Sequence, residues 1–186
     1  MIDEGSPMPD FAYRDANGRE HRLSESWHGA AAWLLWLRHC GCQFYQEAAA
    51  DLRDAADAFA VQNVRRVCIV QADAEEAGAL CSERGSCDLC VPDPERRTFA
   101  LAGLGHAKLS EVLFPSEALK LRRAEAKRRG VKQDWARTFK PGNDAMQLPG
   151  AALVDEQGII RYLHSGVHTG DLPSSAELLR IAGERL

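Results

Sequence analysis

The segment Leu37-Arg-His-Cys40-Gly-Cys42-Gln-Phe-Tyr45-Gln-Glu47 gathers two thiols, a guanidinium, an imidazole and a phenol in one short stretch. It begins where an apolar run ends and continues into the pattern of an amphipathic helix. Cys42 therefore stands at a strand-to-helix turn. In an open α/β sheet, ligands bind outside the carboxyl ends of the strands. A sulfur there is expected beside the unpaired N–H groups of the first helical turn, which favour the thiolate, the nucleophilic form. Arg38 adds a fixed positive charge. Gly41 lets the backbone turn sharply. A thiolate so placed attacks peroxides or disulfides and passes through a sulfenic acid or a mixed disulfide. Tyr45 lies three residues on, where a helix puts it within reach to donate a hydrogen bond to that sulfur. Taken alone, the segment is equally compatible with an inert buried thiol.

The six cysteines fall at 40, 42, 68, 81, 87 and 90. Cys68, inside the apolar run Val67-Cys-Ile-Val70, reads as a small core hydrophobe. Cys81 reads as the inner face of a helix. Cys87-Asp-Leu-Cys90 has C-x-x-C spacing and lies before a Pro-rich turn. That pair could resolve an oxidised Cys42, form its own disulfide or bind metal. Together with Cys40, Cys42 and Cys81 it offers enough thiolates for zinc or an iron–sulfur cluster. The spacing matches no standard cluster run, so no cofactor is assigned. A Cys40–Cys42 bond would be strained at that separation. Mild oxidation is therefore expected to join Cys87 to Cys90, or Cys42 to one of them, in preference to Cys40–Cys42. His164 and His168, after a strand near the end of the chain, read as surface or hydrogen-bonded groups.

The elements that must position these groups follow from the periodicity. Phe11 to Tyr13 and Arg19 to Leu23 flank Asp15-Ala-Asn17-Gly18, a hairpin signal. Ala31 to Leu37 is apolar throughout, as a strand buried on both faces would be. Phe44, Ala48, Leu52, Ala55 and Phe59 form one helical stripe. Arg65 to Gln71 is a second buried strand. A helix from Asp73 to about Arg84 follows, then an edge strand at Leu89 to Val91 and a short helix at Arg96 to Leu101. Residues 104–147 read as a less regular insertion holding one helix, Glu117 to Arg129, whose many basic residues suit a solvated face or a docking patch. A second hairpin over Ala151 to Leu163 and a helix over Pro173 to Glu184 complete the order. Strands alternating with helices imply an α/β fold with a parallel core and helices on both faces, in one domain over 1–186.

Composition bounds the function. Hydrophobic residues are 45% and charged residues 27% of 186, and the formal net charge is −4. That charge gives no general attraction to nucleic acid or to an anionic membrane. No apolar run approaches the roughly 20 residues that cross a bilayer. The opening Met1-Ile-Asp-Glu-Gly-Ser-Pro lacks the basic and apolar regions of a secretion signal, so the expected location is cytoplasmic.

The chain resembles the peroxiredoxin-like family of alkyl hydroperoxide reductase and thiol-specific antioxidant type. The resemblance runs through Gly5-Ser-Pro-Met-Pro9-Asp10-Phe11, Asp15, Gly18, Leu23 and the strand before Cys42. It resumes at Val91-Pro-Asp93-Pro-Glu-Arg96, Ala102-Gly-Leu104-Gly, Gln147-Leu-Pro149-Gly150, Asp155-Glu-Gln-Gly158 and His168-Thr-Gly170-Asp171-Leu-Pro173. It implies a thioredoxin-like fold with a central mixed sheet flanked by helices. It also implies a redox-active cysteine at Cys42 and a cis proline facing it at Pro149. Implied partners are a small-molecule oxidant and a thiol reductant, and a homodimer is compatible with it. Three departures stand out. Where the nearest branch reads Gly-Cys-Pro-Phe-Cys-Arg, this chain reads Gly41-Cys42-Gln43-Phe44-Tyr45-Gln46. The threonine three residues before the reactive cysteine is His39, and the proline four before that is Leu35. The expected function is a thiol oxidoreductase in which Cys42 attacks, Arg38 and Tyr45 stabilise the thiolate and Pro149 shapes the pocket. Two rivals are a cysteine-cluster redox or metal sensor without turnover, and an interaction module that has lost peroxidase chemistry and binds through residues 104–147.

Overall fold

The computed structural model of the chain describes residues 2–186, with residues 81–84 and 111–112 described by their backbone alone. A two-stranded hairpin of β1 (Ala12–Arg14) and β2 (Glu20–Arg22) opens it, followed by a 3-10 helix over Leu23–Trp27. The turn residue Asp15 accepts the N–H groups of Asn17 and Arg19 at 2.8 and 2.9 Å, so the side chain itself closes the hairpin.

β3 (Ala31–Leu37) is buried at every residue. It lies at the centre of a five-stranded sheet ordered β5-β4-β3-β6-β7. β4 (Val64–Val70) runs parallel to β3, and β5 (Leu89–Pro92) runs parallel to β4 as an edge strand. β6 (Gly150–Val154) is antiparallel to β3, and β7 (Ile160–Ser165) is antiparallel to β6. The sheet is therefore mixed: the βα-connected part is parallel and the C-terminal hairpin adds antiparallel strands.

Because side chains alternate across a strand, β3 feeds two cores. Trp33, Leu35 and Leu37 join Leu52, Phe59, Leu119, Leu178 and Ile181 on one face. Ala32, Leu34 and Trp36 join Tyr13, Leu23, Trp27, Phe99 and Leu104 on the other. Helices supply the first layer: α1 (Gln43–Asp54), α2 (Ala56–Val61), α3 (Ala74–Arg84) and, after α4 (Arg97–Leu101) and α5 (Leu109–Leu113), α6 (Glu117–Arg128). A short α7 (Trp135–Thr138) and the closing α8 (Ser175–Arg185) complete the chain.

The stripe from Phe44 to Phe59 predicts one continuous helix, but it is two. The backbone at Ala55 leaves helical geometry at φ −96° and ψ 9°. Alanine is the strongest helix former, so composition gives no sign of the break. Beyond it Phe59 is carried into the core beneath the guanidinium of Arg66, 6.0 Å from the ring centroid. α5, α7 and the 3-10 helix are likewise unforeseen, being too short to display a period. A third difference concerns Pro149. Among the described residues there is no cis peptide bond, so Leu148–Pro149 is trans, the intrinsically lower form of an X–Pro bond. The N–H of Leu148 bonds the Gly105 carbonyl and the Pro149 carbonyl accepts the N–H of Gly166, so a trans link leads into β6.

Candidate active site

The turn that leaves β3 carries Arg38, His39, Cys40, Gly41 and Cys42, and Cys42 is the N-cap residue of α1. Its amide donates to the His39 carbonyl at 3.0 Å and its carbonyl accepts from Gln46 at 3.1 Å. The Cys42 side chain is fully buried. Its sulfur accepts Nη1–H of Arg38 at 2.9 Å. The same guanidinium donates through Nε to the Gln147 carbonyl at 2.8 Å, and through Nη2 to the Ala145 carbonyl. Arg38 is thus clamped on three sides with its charge held against one sulfur. A charge-assisted donor in that place complements an anionic sulfur.

The other groups of the turn are arranged differently from one another. Sequence reasoning leaves the first N–H groups of α1 unpaired, but Gln43 N–H donates to Oε1 of Gln133 at 3.2 Å, so the insertion caps this helix. Tyr45 is buried. Burial, reinforced by the neighbouring thiols of Cys68, Cys40, Cys90 and Cys87, pushes its ionisation well above the usual tyrosine range. Cys40 is buried, and burial with the carboxylate of Glu76 pushes its thiol up to about 12. That opposes a nucleophilic or resolving part for Cys40.

His39 has no exposed surface, and neither ring nitrogen has a hydrogen-bond partner among the described residues. Burial, then the nearby Arg38 charge, hold its pKa down at about 4, against a smaller opposing influence of Asp144. A group depressed in the folded state is protonated first in the unfolded chain. Its contribution is therefore complete above the unfolded value of about 6.5 and is lost as pH falls toward 4. The loss is about 1.4 kcal/mol per pH unit at most. In urea unfolding between pH 7 and 4.5 we expect wild-type stability to fall more steeply than that of His39→Leu. Parallel curves over that range would remove His39 as the cause.

Two residues not singled out from the sequence enter the site. Glu47, 3% exposed at its side chain, lies 3.3 Å from Arg122 and 4.0 Å from Arg129 of α6 and its end. Burial raises its pKa and the two arginines lower it less. Arg122 also donates to the Gly170 carbonyl at 3.2 Å. The basic face of α6 is thus partly turned inward. The signal was spacing: Leu119 and Ala126 are buried, and Arg122 falls on the same stripe between them.

Pro149 lines a pocket with Leu37, Arg38, Phe44, Tyr45 and Arg122. Its volume is about 10 Å³, the least that admits a water. Roomier hollows include one of about 640 Å³ on the insertion side of the same turn, lined by Cys40, Gln46, Gln133 and Asp134, and one of about 480 Å³ away from the thiols, lined by Phe11, Tyr13, Asp73 and Asp93. The sulfurs of Cys87 and Cys90 lie 3.2 Å apart, and Cys90 is paired in register with Cys68. Among the described residues no group of three or more His, Cys, Asp or Glu is placed to hold a metal ion. The inward placement expected for Cys81, and its share in a metal cluster, fall outside the described side chains. His164 is hydrogen-bonded, 3.2 Å from the Asp171 carbonyl and 3.4 Å from its carboxylate.

The five-stranded mixed sheet flanked by helices is the thioredoxin-like fold, shared with solved peroxiredoxins. The reduced peroxiredoxin Prx3 of Vibrio vulnificus, solved with hydrogen peroxide, superimposes with a TM-score of 0.69 at 14% identity, over 98% of this chain and 99% of that one. The peroxidoxin BcpB of Mycobacterium tuberculosis gives 0.62 at 16% identity, over 98% and 96%. In sequence, the chain is 24% identical to the chloroplastic thioredoxin-like protein AAED1 of Arabidopsis thaliana over 172 residues, 89% of this chain and 67% of that protein. No protein-family model matches the chain. Among the described residues no helix is long and apolar enough to cross a membrane.

Proposed function

We propose that the chain is a peroxiredoxin-like thiol oxidoreductase of a reducing, cytoplasmic compartment, with Cys42 as its redox nucleophile toward a hydroperoxide. The observation that carries this reading is the 2.9 Å contact from the clamped Arg38 to the Cys42 sulfur at a helix N-cap. The Cys42 thiolate attacks the terminal peroxide oxygen, the O–O bond breaks, and the alkoxide leaves and takes a proton. Cys42 becomes a sulfenic acid, oxidised by two electrons. Two equivalents of a thiol reductant restore it, releasing water and a disulfide. Arg38 orients the sulfur and complements its charge. Pro149 and Phe44 wall the pocket, and Tyr45 replaces a second thiol, so the reductant must come from outside the C-x-x-Tyr turn. Full burial of Cys42 beside a pocket this small also favours a second reading, an interaction module without turnover. Its surface would include the exposed, stacked pair Trp135 and Phe139, ring centroids 5.9 Å apart. Stoichiometric hydrogen peroxide in the presence of dimedone separates the two. The expected result is a dimedone adduct at Cys42 by peptide mass spectrometry. An unmodified Cys42, with oxidation confined to other cysteines, would overturn the proposal.

A further inference from the structure

The pocket beside Cys42 is lined by two guanidinium groups, and the chemistry of Cys42 uses only one of them. The second, Arg122, reaches the pocket from α6, far along the chain from the turn that carries the sulfur. Its Nε–H donates to the Gly170 carbonyl at 3.2 Å, which fixes the side chain against the loop before α8. Its Nη1 stands 3.3 Å from Oε1 of Glu47 and 3.6 Å from Oε2 of Glu125, both ion-pair distances. Among the described residues neither Nη group makes a hydrogen bond. Glu47 is equally open: its Oε2 is buried with no hydrogen-bond partner among the described residues. The pair therefore lacks the double N–H···O fork of a closed arginine–carboxylate bridge. The guanidinium is held by one nitrogen and keeps donors to spare. Exposure orders the two cations. The Arg122 side chain is 31% exposed, whereas Arg38 is buried and engaged by the Cys42 sulfur and two carbonyls. Arg122 thus stands at the outer end of the lining and Arg38 at the inner end. Leu37, Phe44, Pro149 and Leu172 supply apolar walls, Thr169 a hydroxyl, and no carboxylate lines the pocket. A cleft with charge of one sign and apolar walls focuses its field and concentrates ions of the other sign.

We propose, resting on the peroxide reading of Cys42, that Arg122 selects the oxidant and that the oxidant is a small hydroperoxide carrying a carboxylate. The carboxylate meets the Nη groups of Arg122, whose planar fork suits it. The volume of about 10 Å³ admits only a group the size of water. The hydroperoxyl end therefore passes inward to Cys42, and the anionic end stays at the mouth. The Cys42 thiolate takes the terminal OH, the O–O bond breaks, and the alkoxide takes a proton and leaves as a hydroxycarboxylate. Cys42 becomes the sulfenic acid, oxidised by two electrons, and the hydroperoxide is reduced by the same two. Arg122 touches the substrate away from the reacting atoms, so its contribution falls on binding rather than on the chemical step.

The test uses the reduced full chain at pH 7 and two alkylating reagents that differ in charge, iodoacetate and iodoacetamide. The ratio of their rate constants at Cys42, read by peptide mass spectrometry, should fall about 10-fold in Arg122→Gln. Arg122→Lys should restore most of it. Salt at about 1 M, where the screening length is about 3 Å, should erase most of the wild-type preference for the anion. A pocket that is merely loosened moves both reagents alike and leaves the ratio where it was. Glu47→Gln with Arg122→Gln leaves neither charge of the pair behind, and should show the same fall relative to Glu47→Gln alone. The matching oxidants are tert-butyl hydroperoxide and its carboxylated analogue 3-hydroperoxy-3-methylbutanoate. Preference for the carboxylated one in forming the sulfenic acid should fall in the same variants. A ratio that Arg122→Gln leaves unmoved, a Cys42 that neither reagent alkylates, or an equal loss for the two hydroperoxides would each overturn the proposal. Alkylation needs no peroxide, so the two failures differ. A dimedone adduct at Cys42 with an unmoved ratio removes the selection and keeps the peroxide reading. A shifted ratio with no adduct from any peroxide removes that reading, and the carboxylated oxidant with it.

Discussion

Replacing Arg38 with methionine is expected to slow the alkylation of Cys42 by iodoacetamide at neutral pH by about 10- to 150-fold. The range is that of one hydrogen bond to a charged group, about 1.5–3 kcal/mol. Methionine fills much of the same volume but donates nothing. Cys42 then loses the Nη1–H at 2.9 Å. The Gln147 and Ala145 carbonyls lose their donors as well. Each buried acceptor left unmatched costs about 1–3 kcal/mol, so a lowered urea midpoint should accompany the slower reaction. Arg38→Lys tests the geometry. It keeps the charge but cannot reach three acceptors in a plane, and it should recover less than the full rate. If Arg38→Met alkylates Cys42 at the wild-type rate, the guanidinium has no bearing on the sulfur.

The opposite effect is expected of Gly41→Ala. A Cβ at Gly41 would stand 2.5 Å from the Asp134 carbonyl oxygen and 2.5 Å from the Thr138 nitrogen. Both are backbone atoms, so no rotamer relieves the clash and α7 must move. Asp134 N–H also donates to the Gly41 carbonyl at 2.9 Å, and that bond would be strained or lost. Overpacking of this kind costs about 1–3 kcal/mol. If the cost falls on the docking of residues 133–139 rather than on the sheet, opening over Cys42 becomes about 5- to 150-fold more frequent. Alkylation of Cys42 should accelerate accordingly, and amide exchange should quicken in α7 while β3 and β4 stay protected. Unchanged exchange in α7 would mean that the segment does not cover the turn.

These two neighbouring positions mark how far the sequence could be read. Arg38 and Cys42 are four residues apart, and the run of seven apolar residues before them announces the strand that aims them. The hairpins were legible for the same reason, since Asn17-Gly18 and Asp155 to Gly158 carry turn chemistry locally. What covers the turn was not legible. Gln133 caps α1 from ninety residues away, and nothing in the sequence around Gln133 or Gln43 marks the meeting. Glu47 and Arg122 look like ordinary surface charges until their helices pack at α1 and α6. The cis proline came from resemblance and gave way to a trans bond in the chain itself. The C-x-x-C at 87–90 was visible as spacing, but the 3.2 Å approach of its sulfurs was not.

The acceptors that hold Arg38 lie 107 and 109 residues downstream of it in the chain. During synthesis, at about 5–20 residues per second, roughly 5–20 s pass between the making of Cys42 and that of the segment which fixes its neighbour. In that interval β3 also lacks β6, one of its two partners in the sheet. The newborn polypeptide therefore carries its most chemically capable sulfur in an unassembled setting. Maturation of the sulfur is coupled to completion of the sheet, and a ribosome-arrested chain ending before residue 145 would hold the thiol of Cys42 without its fixed guanidinium.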